Sequence, residues 1–228
     1  MAIEEPTFTI IRFKQRAVAL ALIGYPLLAG IAFAVHPNLA SLSVRHEPAQ
    51  RIVELHGNSL MHFGHFLMVL GVPMLIVIAL HLMKILERTM PVRALAGASL
   101  AITGAIVLAM DKAALCLVPS AFDTLTEAEF SGLIPGLTAM FQYRGYMWVL
   151  KLLPLLSLGF IILGYGLVRS QAMKRQQAIP ILLGSILTAN PDIDLIGLIA
   201  TGFLAIGFIP YAIQLWRSDP CKKTPAGQ

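Results

Sequence analysis

The chain has 228 residues, 57% of them apolar and only 13% charged, and a mean hydropathy of +0.77. Soluble domains carry about a quarter of their residues as Asp, Glu, Lys and Arg; half that share, with apolar stretches about 20 residues long, excludes a water-soluble globule and indicates an integral membrane protein whose main partner is the lipid bilayer. The net charge of +5 and a pI near 9.4 would suggest nucleic acid in a soluble chain, but membrane topology accounts for the surplus and no nucleic-acid partner is expected.

In chain order, Arg12, Lys14 and Arg16 precede a first apolar run, with "AFA" at 32–34. The pattern imitates a signal peptide, and it is read as a retained first span over 17–36. The following loop contains "EPAQRIVELHG", in which Pro48 suits a helix start and Gly57 a helix stop. The second and third spans are read at 60–83 and 94–118. The next loop holds "TEAE" at 126–129, a capping-box pattern of Thr126 with Glu129. Both loops are expected to carry short helices over the outer face. A fourth span follows at 146–168. The stretch 178–216 is 39 residues long, too long for one span, and breaks at "NPDID", where Pro191 and two carboxylates make a tight turn. That gives a short fifth span at 178–190 and a sixth at 195–216.

The expected fold is therefore all-α: one polytopic membrane domain, a six-transmembrane-helix bundle with both termini cytoplasmic. Charge placement agrees. Twelve of the 17 basic residues then fall inside, close to span ends, and seven of the 12 acids fall outside, as the positive-inside rule requires. A five-span reading would strand Arg217, Lys222 and Lys223 on the outer side. The expected location is a plasma membrane of the bacterial inner-membrane type. Cys116 and Cys221 are expected on opposite sides, which excludes a disulfide between them, and neither CxxC nor a zinc-type Cys/His spacing occurs. Inner loops of about ten residues leave no room for a soluble catalytic domain. Small residues recur in several spans (Gly97, Ala101 and Gly104; Gly159 and Gly164; Gly197, Gly202 and Gly207), which is how helices approach closely in lipid.

The polar residues are distributed one-sidedly. Asp111 and Lys112 lie about 17 residues into the third span, roughly 26 Å from its inner end. Lys151 opens the fourth span, Arg144 just precedes it, and Asp194 opens the sixth. These five form an outer layer that either pairs helix ends, for example Asp111 with Lys151 or Arg144, or lines a shallow vestibule for a small anionic or amphipathic ligand. As sequence neighbours, Asp111 and Lys112 point about 100° apart and need not pair with each other. The histidines form a second set. His62 and His65 share a helix face, and His36 stands at similar depth, so the three could hold one haem b or one metal ion. His81 lies far from them and is expected to hydrogen-bond a neighbouring helix. The "GASL" at 97–100 resembles the Gly-x-Ser-Gly of rhomboid proteases, but Leu100 replaces the last glycine and the last span has no histidine to act as base.

Three function classes follow. The first is a non-enzymatic membrane protein with an outward-facing polar vestibule, acting as a ligand-binding module or as an accessory subunit to another membrane or outer-side protein. The second is a small transporter or channel, and the third a membrane redox protein. If the topology is right, a cysteine introduced at Thr124 in a chain lacking Cys116 and Cys221 is labelled by an impermeant maleimide in intact cells. One introduced at Arg175 is labelled only after lysis.

Overall fold

The computed structural model describes residues 8–37, 39, 40, 42, 47–190 and 193–218. They are helical throughout, with no strand among the described residues. Helix α1 runs over Phe8–Ala34, α2 over Pro48–Leu55, α3 over Ser59–Leu86 and α4 over Pro91–Lys112. The chain continues from α4 through a π-helical turn, Ala113–Leu117, the single turn α5, Val118–Ser120, and a 3-10 turn, Ala121–Thr124. Helix α6 spans Glu127–Phe141, a 3-10 segment spans Gly145–Leu152, and α7, α8 and α9 span Pro154–Ser170, Arg175–Leu187 and Asp194–Arg217.

Five of these runs are long and apolar enough to cross a bilayer: Ile10–Ala34, Ser59–Leu86, Pro91–Thr124, Gly145–Ser170 and Asp194–Arg217. The protein is a multi-pass membrane protein. Helix α8 has 13 residues, about 20 Å at 1.5 Å per residue, against a hydrocarbon thickness of about 30 Å.

Six helices form a closed ring, each packed on its sequence neighbour: α1 on α3, α3 on α4, α4 on α7, α7 on α8, α8 on α9, and α9 back on α1. The closing pair is antiparallel. At one end His36 meets Asp194, and at the other Arg16 lies 5.5 Å from the Trp216 ring centre. Inside the ring, Leu22, Ile78, Leu82, Leu86, Leu163 and Leu167 are completely buried in one apolar cluster. Leu86 reaches across to Gly166 of α7, so α3 and α7 touch through the interior.

Small residues set the spacing. A Cβ on Gly104 would collide with the Leu156 backbone, and one on Gly159 with the backbones of Ala101 and Gly97. The α4–α7 contact is therefore backbone to backbone, the geometry small residues permit in lipid. Gly197 and Gly207 likewise sit against Phe33 and against Gln177 and Ile181, whereas Gly202 faces open space and takes no part.

Where helix ends differ from the sequence reading, local chemistry explains them. The first helix begins at Phe8, upstream of position 17, because Arg12, Lys14 and Arg16 end the apolar run but not the helix. The fourth span is not α-helical throughout. Pro154 has no N–H for the Leu150 carbonyl, so Leu153 N–H takes that carbonyl at 3.1 Å and the preceding turns tighten to 3-10. Where a fifth span was expected at 178–190, the helix lies further towards the N-terminus, as α8 stops at Leu187 and the Thr188 carbonyl accepts from Ser157 Oγ at 3.0 Å. Pro191 and Asp192 of the expected turn, and Cys221, lie outside the described residues.

Both loop helices are present. Gly57, at φ +69°, stops the chain after α2. Thr126 N–H donates to Glu129 Oε2 at 2.9 Å, closing the capping box, and these bonds hold the Glu129 carboxyl below its ordinary range. Helices α2 and α6 pack together over one end of the ring, burying Ile52, Leu55, Phe130, Leu137 and Phe141 in a second apolar cluster. Gly159→Val is expected to destabilise the protein by about 1–3 kcal/mol through overpacking, while Gly202→Ala is expected to leave its thermal midpoint in detergent unchanged or slightly raised.

Candidate functional site

Because the six ring helices alternate in direction, one end of the ring gathers the C-terminal ends of α1, α4 and α8 with the N-terminal ends of α3, α7 and α9. A cavity of about 590 Å³ opens there, walled by five of the ring helices and by the Thr188–Asn190 turn that follows α8. Its deeper surface is apolar, including Tyr25, Met68, Leu108 and Leu156. Its mouth is polar, and α2 contributes Arg51, Glu54 and Leu55 above it.

The π turn shapes one wall. Leu108, Asp111, Lys112, Leu115 and Cys116 all line the cavity. Residues 111 and 115, and 112 and 116, are four apart, a spacing that keeps side chains on one face both in an α-helix and through the π turn Ala113–Leu117. Such turns are common at functional sites. The opposite wall comes from the 3-10 segment, which carries Leu150 and Lys151, and from the α8–α9 junction, which carries Asn190 and Asp194.

Six charged side chains line the cavity: Arg51, Lys112 and Lys151 against Glu54, Asp111 and Asp194. Lys112 Nζ lies 3.2 Å from Asp111 Oδ2, so the two sequence neighbours do pair. His36 Nδ1 lies 2.8 Å from Asp194 Oδ1, tying the end of α1 to the start of α9. Arg51 donates to the Tyr143 hydroxyl, and burial followed by the nearby Asp111 carboxylate raises the Tyr143 pKa. Arg51, Glu54 and Asp194 are all engaged by neighbours. Lys151, exposed at the mouth, has no partner among the described residues.

Of the residues singled out from sequence, Asp111, Lys112, Lys151 and Asp194 converge on this cavity, as do His36 and His65. Arg144 is exposed and lies outside it. The three histidines do not act as a set. His36 and His65 meet edge to face, with ring centres 5.0 Å apart. A porphyrin cannot stand between rings already in contact. His62 turns away, placing Nε2 3.0 Å from Asp123 Oδ2. Among the described residues no three His, Cys, Asp or Glu side chains form a group able to hold a metal ion. His81 bonds the Tyr211 hydroxyl of α9 at 3.0 Å, as expected for a histidine on a helix interface.

His65 is the anomaly. It is only 5% exposed, it lines the cavity, and its Nδ1 has no hydrogen-bond partner among the described residues. A buried polar atom left unsatisfied costs about 1–3 kcal/mol.

Asp123 was invisible as a site residue in sequence. Its Oδ1 accepts the Gly57 N–H at 2.9 Å and lies 3.4 Å from His56 Nδ1, while Oδ2 faces His62. The His56 and His62 contacts are within ion-pair distance but poorly aligned for hydrogen bonding, so the Gly57 bond is the well-formed one. Asp123 thereby fastens the α2–α3 connection to the end of the long α4 run. Arg51 carried a signal: positions 48, 51 and 55 follow the three-and-four spacing of one helix face. Tyr143 carried none, because its orientation depends on a left-handed backbone (φ +56°) just before Gly145 at φ +59°.

No family model matches the chain, and no curated protein or solved structure matches it.

Asp123→Ala is expected to raise amide exchange over α2 by on the order of tenfold, the ~1.5 kcal/mol of one hydrogen bond to a charged group. Exchange in α3 and α7 around Leu82 and Leu163 is expected to stay unchanged.

Proposed function

We propose that this is a six-span membrane protein, with both termini on the cytoplasmic side of a bacterial inner membrane, that binds a small amphipathic ligand in an outward-facing vestibule and performs no chemistry on it. Helix α8 is then the short fifth of the six spans, completed by the thin polar end of the ring. The basic ends of α1, α3, α7, α8 and α9, carrying Arg16, Lys84, Arg169, Arg175 and Arg217, face the cytoplasm in this reading. Exposed Tyr146 and Trp148 at the opposite end suit the outer interface, where aromatic rings straddle water and lipid.

The observation that carries the proposal is the cavity itself. Its volume lies within the range of small-molecule sites, and it combines apolar walls with a few convergent polar groups, the usual composition of such sites. Its floor is blind: beneath it the ring interior is filled by the cluster around Ile78, Leu82 and Leu163. A blind, preformed pocket favours binding over conduction. The α2–α6 roof, which presents exposed Val53 and Ile134, is where a partner protein would meet the occupied vestibule if the chain serves as an accessory subunit.

A transporter reading draws on one specific feature. The wall contains irregular backbone, namely the π turn, the 3-10 segment and the α8–α9 break, and transporters place such elements around their substrates. In that case Asp111→Asn abolishes uptake by the folded protein. On the binding reading it alters occupancy alone.

Met68→Trp fills the cavity from α3 with an apolar side chain. The variant is expected to fold, with its helical circular dichroism unchanged, and to lose the small molecule that co-purifies with the wild-type chain, as quantified by mass spectrometry of solvent extracts. A wild-type protein that carries no such molecule, or a variant that keeps it at full occupancy, refutes the vestibule.

A further inference from the structure

The unspent bonding capacity of the cavity wall points to the class of its occupant. Resting on the binding reading above, we propose that the ligand is a single-chain amphiphile with an anionic head, a carboxylate or a phosphate. The head lies between His65 and Lys151, and the chain lies along Tyr25, Met68, Leu108 and Leu156.

Three independent observations lead there. The first is chemical sign. The wall's acids are already engaged: Asp111 by Lys112, Asp194 by His36, and Glu54 by a neighbour. Two of its three cations are engaged as well, Lys112 by Asp111 and Arg51 by Tyr143. Lys151 and the Nδ1 of the buried His65 remain without partners among the described residues. Lys151 offers only N–H donors, and His65 offers one in its Nδ1–H tautomer. A ligand that satisfies both therefore supplies acceptor oxygens, and a full negative charge beside Lys151 makes those bonds the stronger, charge-assisted kind.

The second is size. A cavity of about 590 Å³ holds about twenty water-sized groups at ~30 Å³ each. That is one acyl chain with its head. A two-chain phospholipid carries more than twice as many atoms and does not fit.

The third is polarity along the depth. The donors sit on the first turns of α3 and just before α7, at the ring end. Met68 lies one turn further into α3 than His65, and Leu156 lies beyond Lys151 on α7. Head and chain are thereby given opposite ends of the cavity.

The source of the anion is open to experiment: a membrane-derived amphiphile or a soluble anion such as inorganic phosphate. Full-length protein in phosphatidylcholine nanodiscs is titrated with radiolabelled palmitate. Competition is then measured with a sixteen-carbon lysophosphatidate, hexadecanol and inorganic phosphate. Saturable palmitate binding is expected, displaced by the lysophosphatidate, at least about tenfold less effectively by hexadecanol, and not by phosphate. Lys151→Met is expected to weaken palmitate binding about tenfold or more without changing hexadecanol binding, and Lys151→Arg to restore it. His65→Phe should act in the same direction as Lys151→Met, with an unchanged thermal midpoint serving as the folding control.

Equal binding of palmitate and hexadecanol, with Lys151→Met silent on both, overturns the anionic head and leaves the vestibule reading standing. Displacement of palmitate by phosphate at equal concentration assigns the site to a soluble anion and overturns the single-chain assignment. Saturable binding of neither amphiphile overturns both this inference and the binding reading on which it rests.

Discussion

Backbone-to-backbone contact between α4 and α7 is the constraint on which the rest of the structure depends. In a bilayer, apolar side chains gain little by leaving lipid for one another, so helices associate where their surfaces interlock. Gly104 lies against the Leu156 backbone and Gly159 against Ala101 and Gly97. This fixes how closely the third and fourth long spans stand and how each is rotated. With that pair set, the chain has a uniform path, each helix lying on the next, until Gly197 receives Phe33 and α9 closes against α1. A ring built this way has a filled interior wherever long side chains meet, as Leu82, Leu86, Leu163 and Leu167 do at the basic end. It has a hollow where the helices stop being regular.

That irregularity is itself built from identifiable residues. Pro154 denies the Leu150 carbonyl its α-helical donor and tightens the entry to α7. The π turn after Lys112 carries Leu115 and Cys116, which line the same wall as Asp111. Helix α8 stops short at Leu187, and Ser157 occupies the carbonyl that follows. Each interruption exposes backbone polarity that a lipid-facing segment cannot carry, and each falls on the cavity wall or beside it. The polar groups follow the same logic. Asp111 with Lys112 and His36 with Asp194 neutralise one another locally, which allows charges to persist near hydrocarbon at modest cost. His65 departs from that economy, its Nδ1 having no partner among the described residues.

Much of this was legible in the residues. Hydropathy gave six expected spans, of which five are long and apolar enough to cross a bilayer while the one at 178–190 forms only the 13-residue α8. The Thr126–Glu129 box and the Pro48-to-Gly57 segment gave both surface helices, because caps and stops are local chemistry. The one-sided placement of Asp111, Lys112, Lys151 and Asp194 was also legible, since depth along a span is a count of residues. The individual pairings were not. Asp111 was matched to Lys151 or Arg144 on depth alone, yet it pairs with its own neighbour Lys112, because a long lysine side chain can span the roughly 100° between adjacent helical positions. Arg144 is exposed and lies outside the cavity lining. His36, His62 and His65 share a depth, but one packs on another while the third turns to Asp123, a residue whose loop position gave no warning of its role.

The sequence by itself determined which segments enter the membrane and which end of each holds its polar residues, because the free energy of moving a side chain from water into lipid depends on that side chain and its depth. Only the tertiary structure decided which of those residues face one another across a common hollow. That outcome rests on the order of helices around the ring and on their rotation, set by whether a glycine on one helix meets a backbone on another. Such a match belongs to pairs of helices, and no single stretch of sequence contains it.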